Sequence, residues 1–175
     1  MDYKVVIQYS NEMQIDIFIP KGYGEKINID SSSGTVKSDS LKLKELNINT
    51  FSGDIELEDV AANSVSFETS SANISVENIE ADDIKINTFS GNSEFISLNA
   101  DKLLFESSSG NVLIRLIEGS EFALEASSSS GNVSCEFPVI TTEEQDQNEI
   151  KGVVGKDTNK IKIDTFSGDI EINKK

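Results

Sequence analysis

Apolar and polar residues alternate along most of this chain. Ile27-Asn28-Ile29, Ile84-Lys85-Ile86 and Ile161-Lys162-Ile163 are typical, and a period of two sets successive apolar side chains on one side of a strand. No stretch carries helical spacing. Short Ser-Gly clusters punctuate the alternation, and the pattern around them repeats. The anchors are Gly34, Gly53, Ala72, Gly91, Gly110, Gly131 and Gly168, separated by 19, 19, 19, 19, 21 and 37 residues. With each anchor taken as zero, position −7 holds Ile27, Leu46, Val65, Ile84, Leu103, Leu124 and Ile161, and position −5 holds Ile29, Ile48, Phe67, Ile86, Phe105, Ala126 and Ile163. Positions +2 and +4 are apolar in most repeats, and +7 adds Leu41, Val60, Ile79, Leu98 and Ile117.

A unit of this size cannot bury its own apolar side, but a stack of such units can. The expected fold is therefore all-β, a single-chain parallel β-helix (β-solenoid) of about seven coils. Each coil is a strand, a tight turn at Ser-Gly, a second strand and a short bend. The crossover rule for parallel strands favours a right-handed course. At about 4.8 Å per coil the stack is roughly 30–35 Å long. An antiparallel sandwich leaves the recurring phrase unexplained. The whole chain reads as one domain. Residues 1–24 form an N-terminal hairpin or partial coil, with strands Lys4–Tyr9 and Gln14–Ile19 around Ser10-Asn11-Glu12. Regular coils fill 25–138, an ejected acidic loop occupies 139–157, and the final coil spans 158–175. On this reading Lys174 and Lys175 blunt the last open edge by charge.

Composition narrows the chemistry. The 175 residues include 31 acidic and 15 basic side chains, a net charge of −16, with no His, one Cys and Arg115 as the sole arginine. The acidity argues against nucleic acid, which needs a surplus of Lys and Arg, and against an anionic membrane surface. Without His there is no Ser-His-Asp triad and no imidazole metal site. A lone Cys forms no internal disulfide, and no apolar run is long enough to insert in a membrane. The first residues lack the apolar core of a signal peptide.

Three outward or turn columns remain as candidate sites. Position −1 is Ser in every repeat: Ser33, Ser52, Ser71, Ser90, Ser109, Ser130 and Ser167. Position +1 is Asp54, Asn73, Asn92, Asn111, Asn132 and Asp169, with Thr35 in the first repeat. A nucleophilic Ser needs an adjacent base, and calcium needs six to eight oxygens with several carboxylates. Neither is available, so these columns read as a structural turn ladder whose hydroxyls and amides satisfy one another and the backbone. Ala72 raises the question of whether the anchor needs positive φ at all. Position −2 reads Ser32, Phe51, Ser70, Phe89, Ser108, Ser129 and Phe166. Strand alternation points it outward, which makes Phe51, Phe89 and Phe166 a candidate binding surface; packing of the rings over the corner is the competing reading. Arg115 reads as an outward residue paired with a carboxylate, and Cys135 as a small core residue.

The phrase Ile48-Asn49-Thr50-Phe51-Ser52-Gly53-Asp54-Ile55-Glu56-Leu57 resembles the DUF4097 family of bacterial adhesin-like proteins. So do Ile15-Asp16-Ile17-Phe18-Ile19-Pro20 near the start and the glycines Gly152 and Gly155 before the last phrase. Ala72-Asn73 and Ser93 depart from the pattern, where Gly and an apolar residue are expected. The resemblance implies a bacterial β-solenoid attached to other domains at the cell envelope, and it supplies no catalytic residues. The expected function is a non-enzymatic binding or scaffold module without cofactor or metal, whose ligand is a cell-wall glycan, a cationic peptide or a protein. A carbohydrate-active β-helix enzyme and an assembly domain stacking through edge strands are the alternatives. Location at the envelope or outside the cell depends on segments beyond this chain, and a cytoplasmic location is left open.

Overall fold

A computed structural model describes residues 3–9, 14–141 and 146–175. In chain order the strands are β1 (Tyr3–Gln8), β2 (Gln14–Ile19), β3 (Lys26–Ser31), β4 (Thr35–Lys42), β5 (Glu45–Thr50), β6 (Ile55–Ser71), β7 (Ile74–Ser90), β8 (Ser93–Ser109), β9 (Val112–Leu116), β10 (Phe122–Ser128), β11 (Val133–Cys135), β12 (Glu149–Val154), β13 (Asn159–Ser167) and β14 (Ile170–Lys174). Among the described residues there is no helix, and hence none long and apolar enough to cross a membrane.

The parallel β-solenoid is present. Successive coils pair in parallel and in register at an offset of one repeat: Ile48 faces Phe67, Phe67 faces Ile86, and Ile86 faces Phe105. The strands of the middle coils are longer than expected. β6, β7 and β8 each run 17 residues and break only at the anchor turn, Ala72-Asn73, Gly91-Asn92 or Gly110-Asn111. The bend beyond +7 does not interrupt them, because small residues at +9 let the chain fold inward there; Ala81 and Ala100 are buried and Ala62 half-buried. The −7, −5, +2, +4 and +7 columns form one continuous core. Two expected core positions behave differently. Ser93 is buried at +2 with its Oγ unpartnered, and Ile117 is exposed. The chain turns outward at Ile117, whose carbonyl accepts from the Ser120 amide and hydroxyl, so Leu116 takes the inward place instead.

The order of layers departs from the order in sequence. The last phrase, β13 and β14, does not end the stack. β13 pairs with β8 on one side and β10 on the other, and β14 lies between β9 and β11. The first five coils stack sequentially, the chain then skips a layer to place β10 and β11, and the C-terminal segment returns to fill the gap. The two extra residues in the 21-residue interval lie in the turn that makes this step. The expectation that 158–175 closes an open edge is therefore corrected. Lys174 pairs with Leu116 inside the sheet, and its ammonium sits 5.7 Å from the centre of the Phe137 ring.

The expected ejected loop at 139–157 is also largely built into the fold. β12 pairs antiparallel with β10, and the carbonyls of Gln147 and Asn148 accept from Val133 and Ser128 where a further coil would otherwise do so. This segment caps the layer of β10 and β11, with Phe137 edge-on to Phe122. The acidic stretch at 142–145 lies outside the described residues. At the other end β1 and β2 form an antiparallel hairpin laid against β4; its expected turn at Ser10-Asn11-Glu12 also lies outside them. An antiparallel strand at each end breaks the parallel template, which is how a solenoid limits further pairing.

Candidate binding groove

The turn column is a hydrogen-bonded ladder that follows the spatial order of the layers. The Asp54 Oδ1 accepts from the Asn73 backbone N–H at 2.8 Å, Asn73 from Asn92 at 3.0 Å, and Asn92 from Asn111 at 2.9 Å. The chain of bonds then passes through the inserted coil, from Asp169 N–H to Asn111 Oδ1 at 2.9 Å and from Asn132 N–H to Asp169 Oδ1 at 2.8 Å. Only one side-chain oxygen is used at each step, which explains why Asp and Asn interchange. The hydroxyls at −3 lie beneath this turn. Thr50 Oγ1 accepts from the Gly53 N–H at 2.9 Å, and the Thr69 hydroxyl donates to Thr88 Oγ1 at 2.9 Å. The −1 serines are mostly exposed, with weaker links such as Ser52 Oγ to the Ser32 carbonyl at 3.2 Å.

The anchor glycines approach the preceding layer closely. A Cβ on Gly110 or Gly168 would overlap the backbone carbonyl of the glycine beneath it, and both residues have positive φ, 125° and 141°. Gly53 meets the same crowding without positive φ, and no non-glycine residue has positive φ among the described residues. The column thus requires closeness at most layers but left-handed backbone only at some, and Ala72 stands at a layer that does without it.

Phe51, Phe89 and Phe166 point outward, each with 67% of its surface exposed, so the rings do not fold over the corner. Together with the −4 residues they line an open groove of about 980 Å³ along the stack. Positions −4 and −2 share the outward side, while −3 between them is buried at most layers, including Thr50, Thr69, Thr88 and Thr165. In sequence order the −2 column reads Ser, Phe, Ser, Phe, Ser, Ser, Phe. In spatial order, with the last phrase moved between the fifth and sixth, it alternates without exception. The rings therefore recur every second layer, about 9.6 Å apart.

The −4 column completes this surface and is not among the candidates that the outward positions offer one at a time. Asn49 and Asn87 accompany Phe51 and Phe89; Glu68 and Glu106 occupy the intervening layers with Ser70 and Ser108. The parity shared with −2 was the available signal. Neither Glu68 nor Glu106 is in a side-chain hydrogen bond or close ion pair among the described residues. At the ends of the groove Asp30 accepts from Asn49 at 3.0 Å, and Asp164 accepts from Ser127 at 2.8 Å. Asp164 also hydrogen-bonds Lys162 and, with Glu125 and Glu106, holds its ammonium above the usual lysine range.

Elsewhere the candidate residues stand apart. Arg115 pairs with Glu94 at 2.7 Å, away from the groove lining. Cys135 is half-buried against the core, and burial pushes its thiol up. Among the described residues no three His, Cys, Asp or Glu side chains come together to hold a metal.

Comparison with curated proteins and with solved structures finds no match. The family described as Toastrack DUF4097 matches residues 2–114 and again residues 96–173. The two matched stretches overlap at the layer after which the chain skips, and together they take in nearly every coil. By that match, and by the parallel β-solenoid built from its repeated phrase, the chain belongs to the Toastrack DUF4097 family.

Proposed function

We propose that this chain is a non-enzymatic binding module of the bacterial cell envelope whose ligand lies in the groove between the −4 and −2 columns. The observation that carries the proposal is the row of three two-thirds-exposed Phe rings on a rigid sheet. Large exposed apolar side chains in a row are costly to leave in water and mark contact sites. Parallel pairing on both sides fixes the backbone that carries them, so little backbone entropy is lost on binding. A net charge of −16 disfavours polyanions such as nucleic acid as partners. The test is a sedimentation assay of the purified chain with isolated bacterial envelope fractions. Retention that a combined Phe51→Ala, Phe89→Ala and Phe166→Ala variant loses while keeping its melting temperature is the expected result. Retention unaffected by the triple change removes the groove from the proposal.

A second reading, assembly through an edge, is favoured by β2. Among the described residues it pairs only with β1, and Ile15, Ile17 and Phe18 on it are 46%, 40% and 64% exposed. An edge strand that exposes apolar side chains pairs readily with another chain. Light scattering over a wide concentration range tests it; a strict monomer at the highest concentration rejects assembly.

A further inference from the structure

Resting on the groove as the binding surface, we propose that its ligand is a single extended β-1,4-linked glycan chain with neutral or amine-bearing sugars, lying along the solenoid axis. The argument begins with spacing. Phe51, Phe89 and Phe166 stand on every second layer, so like surfaces recur at about 9.6 Å. In a β-1,4-linked glycan each sugar is turned over relative to the last. The same apolar face therefore returns every second sugar, and one sugar advances the chain by close to one coil. Three rings then meet the faces of the first, third and fifth sugars of a chain.

The polar groups between the rings decide against the competing polymer of similar period. A polyproline II peptide repeats every three residues, about 9.3 Å, and docks in aromatic-lined grooves. Such a peptide offers carbonyl acceptors and few N–H donors, so its groove must donate. The groove does hold donors, the Asn49 and Asn87 amides and the Ser70 and Ser108 hydroxyls, but each gap between rings also holds a carboxylate, Glu68 or Glu106, which only accepts when ionised and opposes a peptide carbonyl. Neither carboxylate is in a side-chain hydrogen bond or close ion pair among the described residues, although Glu106 interacts electrostatically with the Lys162 ammonium. A sugar in each gap presents hydroxyl donors on both edges. Over the central layers Phe goes with Asn and Ser with Glu, which matches a stacking sugar followed by a donating sugar: Asn49 and Asn87 stand beside their rings, Ser70 with Glu68 and Ser108 with Glu106 lie between, and only the terminal ring Phe166 has a carboxylate, Asp164, at its side. Protonated amino sugars gain a charge-assisted bond to Glu68 and Glu106. Sugars bearing carboxylates or phosphates meet like charge and are rejected.

The test is isothermal titration calorimetry of the full 175-residue chain with soluble oligosaccharides of two to eight sugars. Chitosan and cellulose oligomers are the neutral or cationic β-1,4-linked probes, polygalacturonate oligomers the anionic control, and an oligoproline with terminal lysines the competing peptide. Affinity for chitosan oligomers is expected to rise with length until all three rings are engaged at five to six sugars, then level off. Cellulose oligomers are expected to bind more weakly and polygalacturonate not at all. Phe89→Ala should weaken binding of the hexamer at least tenfold. A paired change, Ser70→Phe with Phe89→Ser, keeps three exposed rings but destroys the spacing. It should lose the length dependence while melting normally, which separates register from mere apolarity.

Binding of the oligoproline, or of none but anionic glycans, in a Phe89-dependent way overturns the glycan inference and leaves the groove as the binding surface. Glycan binding with no length dependence, or unchanged by the paired substitution, overturns the inference as well. Absence of Phe89-dependent binding to every probe, together with Phe-independent retention on envelope fractions, overturns the groove itself.

Discussion

Deleting residues 159–175 tests the order of the layers. In a sequential solenoid the last coil contributes one set of nearest-neighbour contacts, and removing it shortens the stack without disrupting the rest. Here the same deletion takes out an internal layer. It removes the strands between β8 and β10 and between β9 and β11, and with them the side chains of Ile161, Ile163, Ile170 and Ile172, which are 5%, 0%, 0% and 0% exposed. At about 1.5–3 kcal/mol for each fully buried aliphatic side chain, the loss is roughly 6–12 kcal/mol before the newly exposed faces are counted. That is of the order of the whole stability of a small domain. The faces left behind, Phe105 and Ile114 on one side and Leu124 and Ala126 on the other, are separated by the thickness of a strand and cannot close without moving the chain between Leu116 and Phe122. Hydrogen exchange read by mass spectrometry should show the β10 and β12 amides losing protection in the truncated chain, while β5 and β6 keep theirs. The point change Ile163→Ala, at a site packed between Phe105 and Ala126, should lower stability to urea by about 3 kcal/mol. A truncated chain that keeps its urea midpoint and its β10 protection would refute the inserted layer.

Three further outcomes follow from the ladder and the surface. Gly110→Ala should cost more than about 2 kcal/mol, because φ of 125° and overlap with the Gly91 carbonyl act together; Gly119→Ala, with φ of 89° but open space, should cost only about 1–2 kcal/mol in the same urea titration. Asp169→Asn should change stability by less than about 0.5 kcal/mol because the ladder uses one oxygen, whereas Asp169→Ala, which leaves the Asn132 N–H without its acceptor, should cost about 1 kcal/mol. The Lys26 ammonium, hydrogen-bonded at 2.6 Å, and the Asn47 amide hold the Glu45 carboxyl below the ordinary glutamate range. The stabilisation from this pair is present above the ordinary glutamate value and is lost as pH falls through the lowered one. Lys26→Met should move the Glu45 titration, followed by carboxyl carbon NMR, upward; an unmoved curve contradicts the pairing.

The parts of the fold that were legible are those written once per coil. The columns at −7, −5, +2 and +4 repeat because every layer needs the same inward side chains, and Asx at +1 repeats because every turn needs the same acceptor. The order of the layers was not legible for the same reason. Ile161-x-Ile163 can seat on Leu103-x-Phe105 as well as on Leu124-x-Ala126, so local chemistry does not choose the neighbour. The intervals of 21 and 37 residues marked where the stack was irregular, but not that the chain would turn back. Reading Ile117 as a core residue came from extending the column across the step where the chain leaves its layer. The candidate rings were visible one by one; their strict alternation exists only in space, because Phe166 sits between Ser108 and Ser129.

A stack of near-identical coils has to avoid pairing one repeat out of place, since a slip of a whole coil keeps every apolar residue inward. The core columns do little against it, being Ile, Val, Leu and Phe in almost every layer. The outward columns discriminate better. Lys26 meets Glu45, Lys37 meets Glu56 and Lys44 meets Glu25, each one coil apart, and Asn63 meets Asp82 and Asn78 meets Asp59 in the same way. Each exposed pair is worth little to stability, but a one-coil slip sets Glu45 against Asp83 and Glu56 against Glu94, and specificity is a difference between states. In this solenoid the surface is therefore where layers differ from one another. A feature that depends on layer order, such as rings on alternate coils, can be specified only there. The same positions that fix the stacking order also fix the spacing of Phe51, Phe89 and Phe166, so a change that lets one coil slip should disturb binding before it disturbs the core.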